Sequence, residues 1–480
     1  MKHLTHLKTW IAGGLAATVL AVAGCTASPT VTTSPTSSTS TTTTTVGTVA
    51  LTADHDDTAD HAWDAADEIA INLSSPTATT GVTISDGTIT ITAAGAYRLT
   101  GTLADAQVVV NTTETENVYL ILDNASITNP DGPALSVLQA GLALVVLPEG
   151  TSSTLADGAT YAASGEDDPD AALFSAANLT ILGDGTLTVT GKHEDGIAST
   201  GGLVIVSGTV NVTAKDVGIR GDDYVVLKSG AVEVTSEGDG VQSDNETDAG
   251  LGYVSVLDGV LTVSSGDGGI DAWTAITIAG GSTTVATAVE GMESKVIGIS
   301  GGTTTVTATE DGLNATDSAS TAAGNQAQEG TLLSISGGEL TVTADGDGLD
   351  SNGSIEMTGG TVVINGPTSS GDGALDYDGT FTITGGTLVA GGAAGMAQAP
   401  STASAQKSLM FTVSAGSGST VEVKDAAGNT IATYSPTRQI ASLVVSTPAV
   451  QQDVTYTVYV DGTAAGTTDS SKATGNPGRR

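Results

Sequence analysis

Hydrophobic and polar residues alternate with a period of two through most of the chain. Two clear examples are residues 203–213 (LVIVSGTVNVT) and 333–343 (LSISGGELTVT), where a short β-branched run meets a glycine turn and a second alternating run follows. Such alternation predicts β-strands, and no stretch of the body shows the sustained 3.6-residue periodicity of helices. The sequence therefore predicts an all-β protein.

Each pair of runs ends in an acid-glycine-aliphatic corner, and this corner recurs along the chain. The aliphatic corner residues are Ile197, Ile219, Val241, Ile270, Met292, Leu313, Leu349 and Leu375. Their spacings of 22, 22, 29, 22, 21, 36 and 26 residues indicate a base period of 22 with loop insertions. Looser copies with corners at Leu135 and Leu173 extend the series toward the N-terminus.

Three short strands per repeat with glycine at the corners are typical of a right-handed parallel β-helix, here with about ten coils of roughly 22 residues. Leucine-rich repeats need regular leucines and an asparagine ladder, and nonapeptide β-rolls have a shorter period, so both fit less well. We expect the β-helix over 67–390, a Gly/Ala linker over 391–406, a small C-terminal β-domain or cap over 407–465 and a disordered tail over 466–480.

The N-terminal residues have the pattern of an export signal. Residues 1–24 combine lysines with an apolar run that is short for a transmembrane helix. The run ends in Val-Ala-Gly-Cys, which looks like a bacterial lipobox, so we predict a lipoprotein signal peptide and lipidation of Cys25. An ordinary secretory signal with a chance cysteine is the alternative. Residues 25–66 are predicted as a Ser/Thr-rich tether and an acidic arm, which places the protein at the extracellular face of the cell membrane.

The charge balance limits the possible partners. The chain has 53 acidic and 14 basic residues, a net charge of −39, and only 3% aromatic residues. Nucleic-acid binding is excluded, because few cations are available to neutralise phosphates. Attraction to anionic lipid is excluded for the same reason, so the membrane is contacted through the lipid anchor only. A cation, or a partner bridged by one, fits this charge best, and we expect a monomer.

Carboxylates recur at the repeat corners and just after them. Stacking would bring such acids about 5 Å apart, where a divalent cation between neighbours relieves their repulsion. Oxygen-rich ligand sets of this kind suit Ca²⁺. The alternative is that each Asp-Gly pair only forms a turn. The densest set, and our predicted metal ligands, comprises Asp195, Asp216, Asp222, Asp223, Asp239 and Asp244.

Catalytic and sugar-stacking residues are few. A calcium-dependent polysaccharide lyase would need a base, and Lys215 and Arg220 flank the acidic corner, although ordinary surface charges explain them as well. Trp273, Tyr224 and Tyr253 are the candidates for stacking on a sugar ring, with packing under a loop as the alternative for Trp273.

Four segments carry a family resemblance: residues 89–103 (ITITAAGAYRLTGTL), 120–129 (LILDNASITN), 194–197 (EDGI) and 238–245 (GDGVQSDN). They resemble a bacterial, clostridial-type family of carbohydrate-binding surface proteins, and the likeness covers about 67–465. The resemblance implies a right-handed parallel β-helix that binds cellulose-like and pectic polymers and holds calcium. It also implies a shape similar to pectate lyases, without established lyase activity.

One corner departs from the family pattern. Val217 stands where the family usually has the second of two adjacent acids, which removes one expected calcium ligand. Together, the residues and the resemblance predict a non-enzymatic, lipid-anchored protein that binds polysaccharide through a calcium-containing β-helix. The alternatives are a calcium-dependent polysaccharide lyase and a structural adhesin or stalk without glycan specificity.

Overall fold

A computed structural model describes residues 44–47, 49–161, 168–324 and 326–473. The chain divides into Met1–Thr41 and Thr42–Arg480, and all described residues belong to the second unit. The predicted signal peptide and Cys25 lie outside the described residues. Within the described part, no helix is long and apolar enough to cross a membrane.

The described residues form an all-β structure, with 51% of the residues in strands and 2% in helices, which confirms that part of the prediction. The three short 3₁₀ helices are Thr58–His61, Ala65–Asp67 and Ser470–Lys472. Strands up to the first clear repeat are β1 (Thr44–Val46), β2 (Val49–Leu51), β3 (Ile69–Asn72), β4 (Val82–Ser85), β5 (Thr88–Ile91), β6 (Gly95–Ala104), β7 (Val108–Asn111), β8 (Asn117–Thr128), β9 (Leu135–Gln139), β10 (Leu142–Leu147), β11 (Ser152–Ala156), β12 (Ala171–Ser175), β13 (Leu179–Gly183) and β14 (Thr186–Thr190).

The repeat region continues with short strands of three to nine residues. They are β15 (Asp195–Ser199), β16 (Gly202–Ile205), β17 (Thr209–Ala214), β18 (Ile219–Gly221), β19 (Tyr224–Leu227), β20 (Ala231–Ser236), β21 (Val241–Ser243), β22 (Tyr253–Val256), β23 (Val260–Ser264), β24 (Ile270–Ile278), β25 (Ser282–Thr287), β26 (Met292–Ile299), β27 (Thr303–Ala308), β28 (Leu313–Ala315), β29 (Leu332–Ile335), β30 (Glu339–Ala344), β31 (Leu349–Ser351), β32 (Ser354–Met357), β33 (Thr361–Asn365), β34 (Phe381–Ile383) and β35 (Thr387–Gly392).

Strands of this region pair in parallel with strands of the next repeat, not with their chain neighbours. Thus β15 pairs with β18 and β18 with β21, while β16–β19 and β17–β20 follow the same rule. All belong to one sheet of 35 strands. A mostly parallel sheet built from a sequence repeat is therefore the central feature of the molecule.

The register confirms the corner alignment read from the sequence. The eight corner aliphatics from Ile197 to Leu375 are paired in one continuous series, and Leu135 and Leu173 join it at the N-terminal end. The 36-residue spacing between Leu313 and Leu349 does not disturb the series, because the extra residues lie between β28 and β29. Insertions thus leave the buried positions unchanged.

The corner glycines are needed because adjacent repeats approach closely there. A Cβ on Gly218 would lie 2.6 Å from the carbonyl oxygen of Gly240 and 2.1 Å from a methyl of Val234. The inward Ile, Val and Leu side chains of successive repeats form one long hydrophobic core that includes the corner residues. The corner therefore fixes glycine, an inward aliphatic residue and outward polar residues in a constant order.

The parallel sheet ends in antiparallel strands. Strands β36 (Ser408–Ala415) and β39 (Ile440–Ser446) pair antiparallel with each other, and β39 also pairs with β35. A separate four-stranded sheet contains β37 (Val421–Lys424), β38 (Thr430–Tyr434), β40 (Thr455–Val460) and β41 (Thr463–Asp469). These strands share a second core around Phe411 and Tyr456.

Residues 49–67, called the arm below, lie across the outer face of the sheet. Leu51 packs on outward apolar residues of several repeats, among them Val204, Val226 and Val296. Trp63 is tilted against Tyr119 with ring centroids 5.5 Å apart. The arm therefore covers an apolar outer face.

Candidate functional site

Outward side chains of the corner strands form columns because the register is continuous. Starting at β18, one column consists of Arg220, Gln242, Asp271, Glu293, Asn314 and Asp350, with Asp376 beyond it. A second column contains the acids that precede the corner glycines. Seen from outside, the site is a strip of carboxylates interrupted by one arginine and two amides.

Acids of the second column bind the backbone of the following repeat. Asp195 accepts a hydrogen bond from the N–H of Val217 (3.1 Å) and Asp239 from Gly268 (2.7 Å). Further along, Asp311 accepts from Asp347 (2.6 Å), whose own carboxylate accepts from Gly373 (2.6 Å). These carboxylates therefore join neighbouring repeats, a structural role that leaves further oxygen lone pairs for another ligand.

Arg220 gathers three carboxylates around its guanidinium group, and we call these four residues the Arg220 cluster. Its nitrogens lie 2.5 Å from Asp170, 2.8 Å from Asp195 and 3.1 Å from Asp222. Burial raises the pKa of Asp195 to about 7, with Arg220 acting in the opposite direction. Arg220 thus supplies positive charge from within the chain at this point of the strip.

Farther along the strip, the carboxylates of Asp347, Asp350 and Asp376 converge. Ligand oxygens of Asp347, Asp350 and Asp376 lie within 4.8 Å of one another. Burial raises the pKa of Asp347 to about 7, and the neighbouring charges that act in the same direction are the carboxylates of Asp311, Asp376 and Asp372. The arrangement concentrates negative charge in a site that is partly buried from solvent.

Gln398 adds an amide to this group. Its side chain is 3% exposed, its Nε2 donates to Asp376, and its Oε1 has no hydrogen-bond partner among the residues described. We call Asp347, Asp350, Asp376 and Gln398 the Asp347 cluster. The atoms that this cluster could offer to a metal ion are all oxygens, and Ca²⁺ prefers oxygen ligands.

The middle of the strip has two further carboxylates whose pKa values are raised, Glu290 and Asp271. Burial, followed by Asp311, Glu293 and Glu310, raises the pKa of Glu290 to about 8. The Oε2 of Glu290 is buried without a hydrogen-bond partner in the described structure. Burial and neighbouring acids likewise raise the pKa of Asp271 well above its usual value.

The six predicted metal ligands are distributed over several environments. Asp195 and Asp222 belong to the Arg220 cluster. Asp239 accepts from Gln242 (2.7 Å) as well as Gly268, and Asp223 accepts from Asn245 (2.7 Å). The other two act through their charges: Asp244 is among the neighbours that raise the pKa of Asp222, and Asp216 among those that raise the pKa of Asp239.

The two lyase candidates lie in different surroundings. Lys215 is exposed and pairs with Glu237 of the next repeat. Arg220 is largely enclosed, and its three carboxylate partners raise its pKa against the effect of burial. Both side chains are held in ion pairs, so neither is positioned as a free general base.

The predicted sugar-stacking residues are partly covered. Tyr224 and Tyr253 stack with centroids 5.2 Å apart, and both are buried under the arm. The Tyr253 hydroxyl donates to the Thr52 carbonyl (2.8 Å), and the Tyr224 hydroxyl accepts from the backbone N–H of His55 (2.9 Å). Trp273 is half-buried on β24, next to the acidic strip.

Sequence reasoning did not single out the Asp347 cluster. Its three acids stand in the recurring corner columns, so the repeat carried a signal for them. Gln398 falls within the predicted linker and belongs to no repeat, so no sequence signal indicated it.

Comparisons with known proteins show which proteins the chain is similar to. The model of a family described as carbohydrate-binding domain-containing protein matches residues 85–331. A protein of that description from Acetivibrio thermocellus is 33% identical over 221 residues, which are 46% of this chain and 77% of the relative. A solved structure, described as the polysaccharide lyase-like protein from C. thermocellum in a gadolinium derivative, is 26% identical, with a TM-score of 0.47. That likeness covers 48% of this chain and 96% of the other.

Proposed function

Because the chain belongs to the family of carbohydrate-binding domain-containing proteins, we propose that it binds polysaccharide outside the cell through calcium held on the acidic strip. The polysaccharide is an acidic, pectin-like polymer or a cellulose-like one. Uronate carboxylates repel a protein of net charge −39, and a bound divalent cation bridges the two. In this function the protein holds the polymer without cleaving it.

The convergence of carboxylates at the Asp347 cluster is the observation that carries this proposal. Three acids and the unpartnered oxygen of Gln398 offer the ligands for one calcium ion. Calcium with open coordination positions can also accept ligand oxygens from a glycan. The cluster lies beyond residues 85–331, so its support comes from the geometry of this chain and not from the family match.

We infer further that the parallel sheet winds as a right-handed parallel β-helix. The regular pairing of each strand with its counterpart in the next repeat supports this winding, and right-handed crossovers are the rule for parallel strands. We also propose lipidation at Cys25, location at the extracellular face of the cell membrane and a monomeric state. The predicted division into signal, tether, β-helix, linker and C-terminal β-domain remains a proposal.

The environment of Arg220 favours binding over lyase chemistry. Its three carboxylate partners hold it protonated, whereas a base that removes a proton must be neutral. A lyase would release an unsaturated product that absorbs in the ultraviolet, and we expect none from polygalacturonate.

Affinity electrophoresis in polygalacturonate gels tests the proposed function. We expect calcium to retard the protein and EDTA to abolish the retardation. Asp350→Asn is expected to weaken retardation at least tenfold, whereas Glu356→Gln, an exposed acid on β32, should leave it unchanged. Retention that EDTA does not alter would contradict calcium bridging.

A further inference from the structure

A pocket of about 450 Å³ opens on the outer face near the N-terminal end of the parallel sheet. Its floor includes Val109 of β7 and Ser136 of β9, which are register partners. Its walls come from the turns at Asp86 and Asp105 and from the loop that contains Asp131. The pocket is thus built on the sheet and separate from the Asp347 cluster in sequence and register.

Carboxylates surround this pocket. Asp86, Asp105, Asp131 and Asp168 line it, and none of the described lining residues is Lys, Arg or His. Within the described structure, Asp86, Asp105 and Asp131 form no ion pair. An anionic sugar would be repelled here, and a ligand with its own positive charge would be attracted.

Ser136 supplies an independent indication of a ligand. The residue lines the pocket and is 2% exposed, and its Oγ is buried without a hydrogen-bond partner among the described residues. Buried hydroxyls are almost always hydrogen-bonded in native proteins, so an unpartnered hydroxyl beside a pocket offers a hydrogen bond to a ligand there. A ligand hydroxyl or amine that reaches the floor would provide it.

Size and apolar surface narrow the class of ligand. The volume far exceeds that of a single metal ion and falls within the range of small-molecule pockets. Leu138 is 43% exposed at the pocket, and Val109 and Pro133 also line it. These groups can pack against the C–H face of a sugar ring, while the amide of Gln107 offers further hydrogen bonds.

We propose that this pocket, the Ser136 pocket, binds a basic amino sugar of the glucosamine type, as a unit of a glycan chain. The sugar ammonium group faces the aspartates, and a ring hydroxyl pairs with Ser136. This goes beyond the calcium-bridged binding proposed above, because here the ligand brings the positive charge and no metal is needed.

Calorimetric titration of the whole protein with glucosamine tetramer in EDTA tests this proposal. We expect saturable binding, at least tenfold weaker for the N-acetylated tetramer and for cellotetraose, which lack the ammonium groups. Since EDTA removes calcium from the acidic strip, the outcome is independent of the function proposed above.

Variants separate the pocket from general attraction to an acidic protein. Asp105→Asn should weaken binding at least fivefold, and Asp258→Asn, at an exposed turn elsewhere, should not. Ser136→Ala changes no charge and is expected to weaken binding about threefold, with an unchanged melting temperature that shows an intact fold. Equal binding of cellotetraose, equal effects of the two aspartate variants or full binding by Ser136→Ala would each overturn the proposal.

Discussion

The Arg220 cluster and the Asp347 cluster occupy equivalent positions in different repeats of the parallel sheet. Both bring carboxylates close together, but the charges that surround these carboxylates differ. In both, carboxylates at a repeat corner are buried beside acids of neighbouring columns. Asp195 is 4% exposed and Asp347 is 8% exposed, and burial raises the pKa of each to about 7. At the first a guanidinium group opposes this rise, whereas at the second the neighbouring charges increase it.

This difference concerns how the charge of a buried corner acid is compensated. Where a corner acid is present, it can bind the N–H of the following repeat, as both Asp195 and Asp347 do. A compensating cation lowers the free-energy cost of keeping a buried carboxylate ionised. Arg220 supplies a cation at the first cluster, and we propose that bound calcium supplies one at the second.

Loss of Arg220 is expected to have the largest effect. Arg220→Met leaves three partly buried carboxylates without their partner, which should lower the free energy of unfolding by about 3 to 5 kcal/mol in EDTA. Calcium should restore part of the loss, because the site then resembles the Asp347 cluster. Chemical denaturation with and without calcium measures both effects.

Lys215→Met is the matched control for Arg220. It removes an exposed ion pair from the same repeat and should change stability by less than about 1 kcal/mol. If the two variants were equally stable in EDTA, the internal cation would not matter and the comparison of the clusters would fail.

Asp350→Asn tests the second cluster. Calcium at about one hundred times its dissociation constant should stabilise the native protein by about 2.7 kcal/mol, and this gain should disappear in the variant. Glu356→Gln removes an exposed acid from the neighbouring β32 and should keep the gain. Denaturation midpoints at several calcium concentrations measure it, and an undiminished response of Asp350→Asn would exclude this residue as a ligand.

Glu290 should give the smallest effect, visible as a pH dependence. Its pKa is raised from 4.5 to about 8, so between these values the folded protein keeps a proton that the unfolded chain has released. In EDTA the free energy of unfolding should therefore fall as the pH rises from about 4.5 to about 8.

Glu290→Gln cannot ionise and should be more stable than the natural protein at pH 8 by about 1 to 2 kcal/mol, a figure reduced for partial solvent exposure. At pH 4.5 the two should be nearly equal. Thermal unfolding of both proteins across this pH range provides the measurement. If their stabilities changed with pH in the same way, the raised pKa of Glu290 would be excluded.

The corner repeat made the strand register predictable, because one inward aliphatic residue and one glycine recur at each turn of the chain. The acidic columns follow from the same pattern. Contacts made by residues outside the repeat could not be predicted from this pattern. Asp170, which precedes β12, pairs with Arg220, and Gln398, which follows β35, bonds to Asp376.

The covered tyrosines illustrate the same limit. Tyr224 and Tyr253 begin strands β19 and β22, but His55 and Thr52 of the arm lie over them, 169 and 201 residues away in sequence. An irregular segment has no periodicity from which its docking position follows. The sequence therefore predicts the stacked framework better than the segments that lie across it.

The hydrogen bonds of the corner acids all point the same way along the chain. Asp195, Asp239, Asp311 and Asp347 each accept from a residue that follows later in sequence. The carboxylate acceptor of each contact therefore belongs to one repeat and the backbone donor to the next, so neither group is satisfied until two successive repeats are paired.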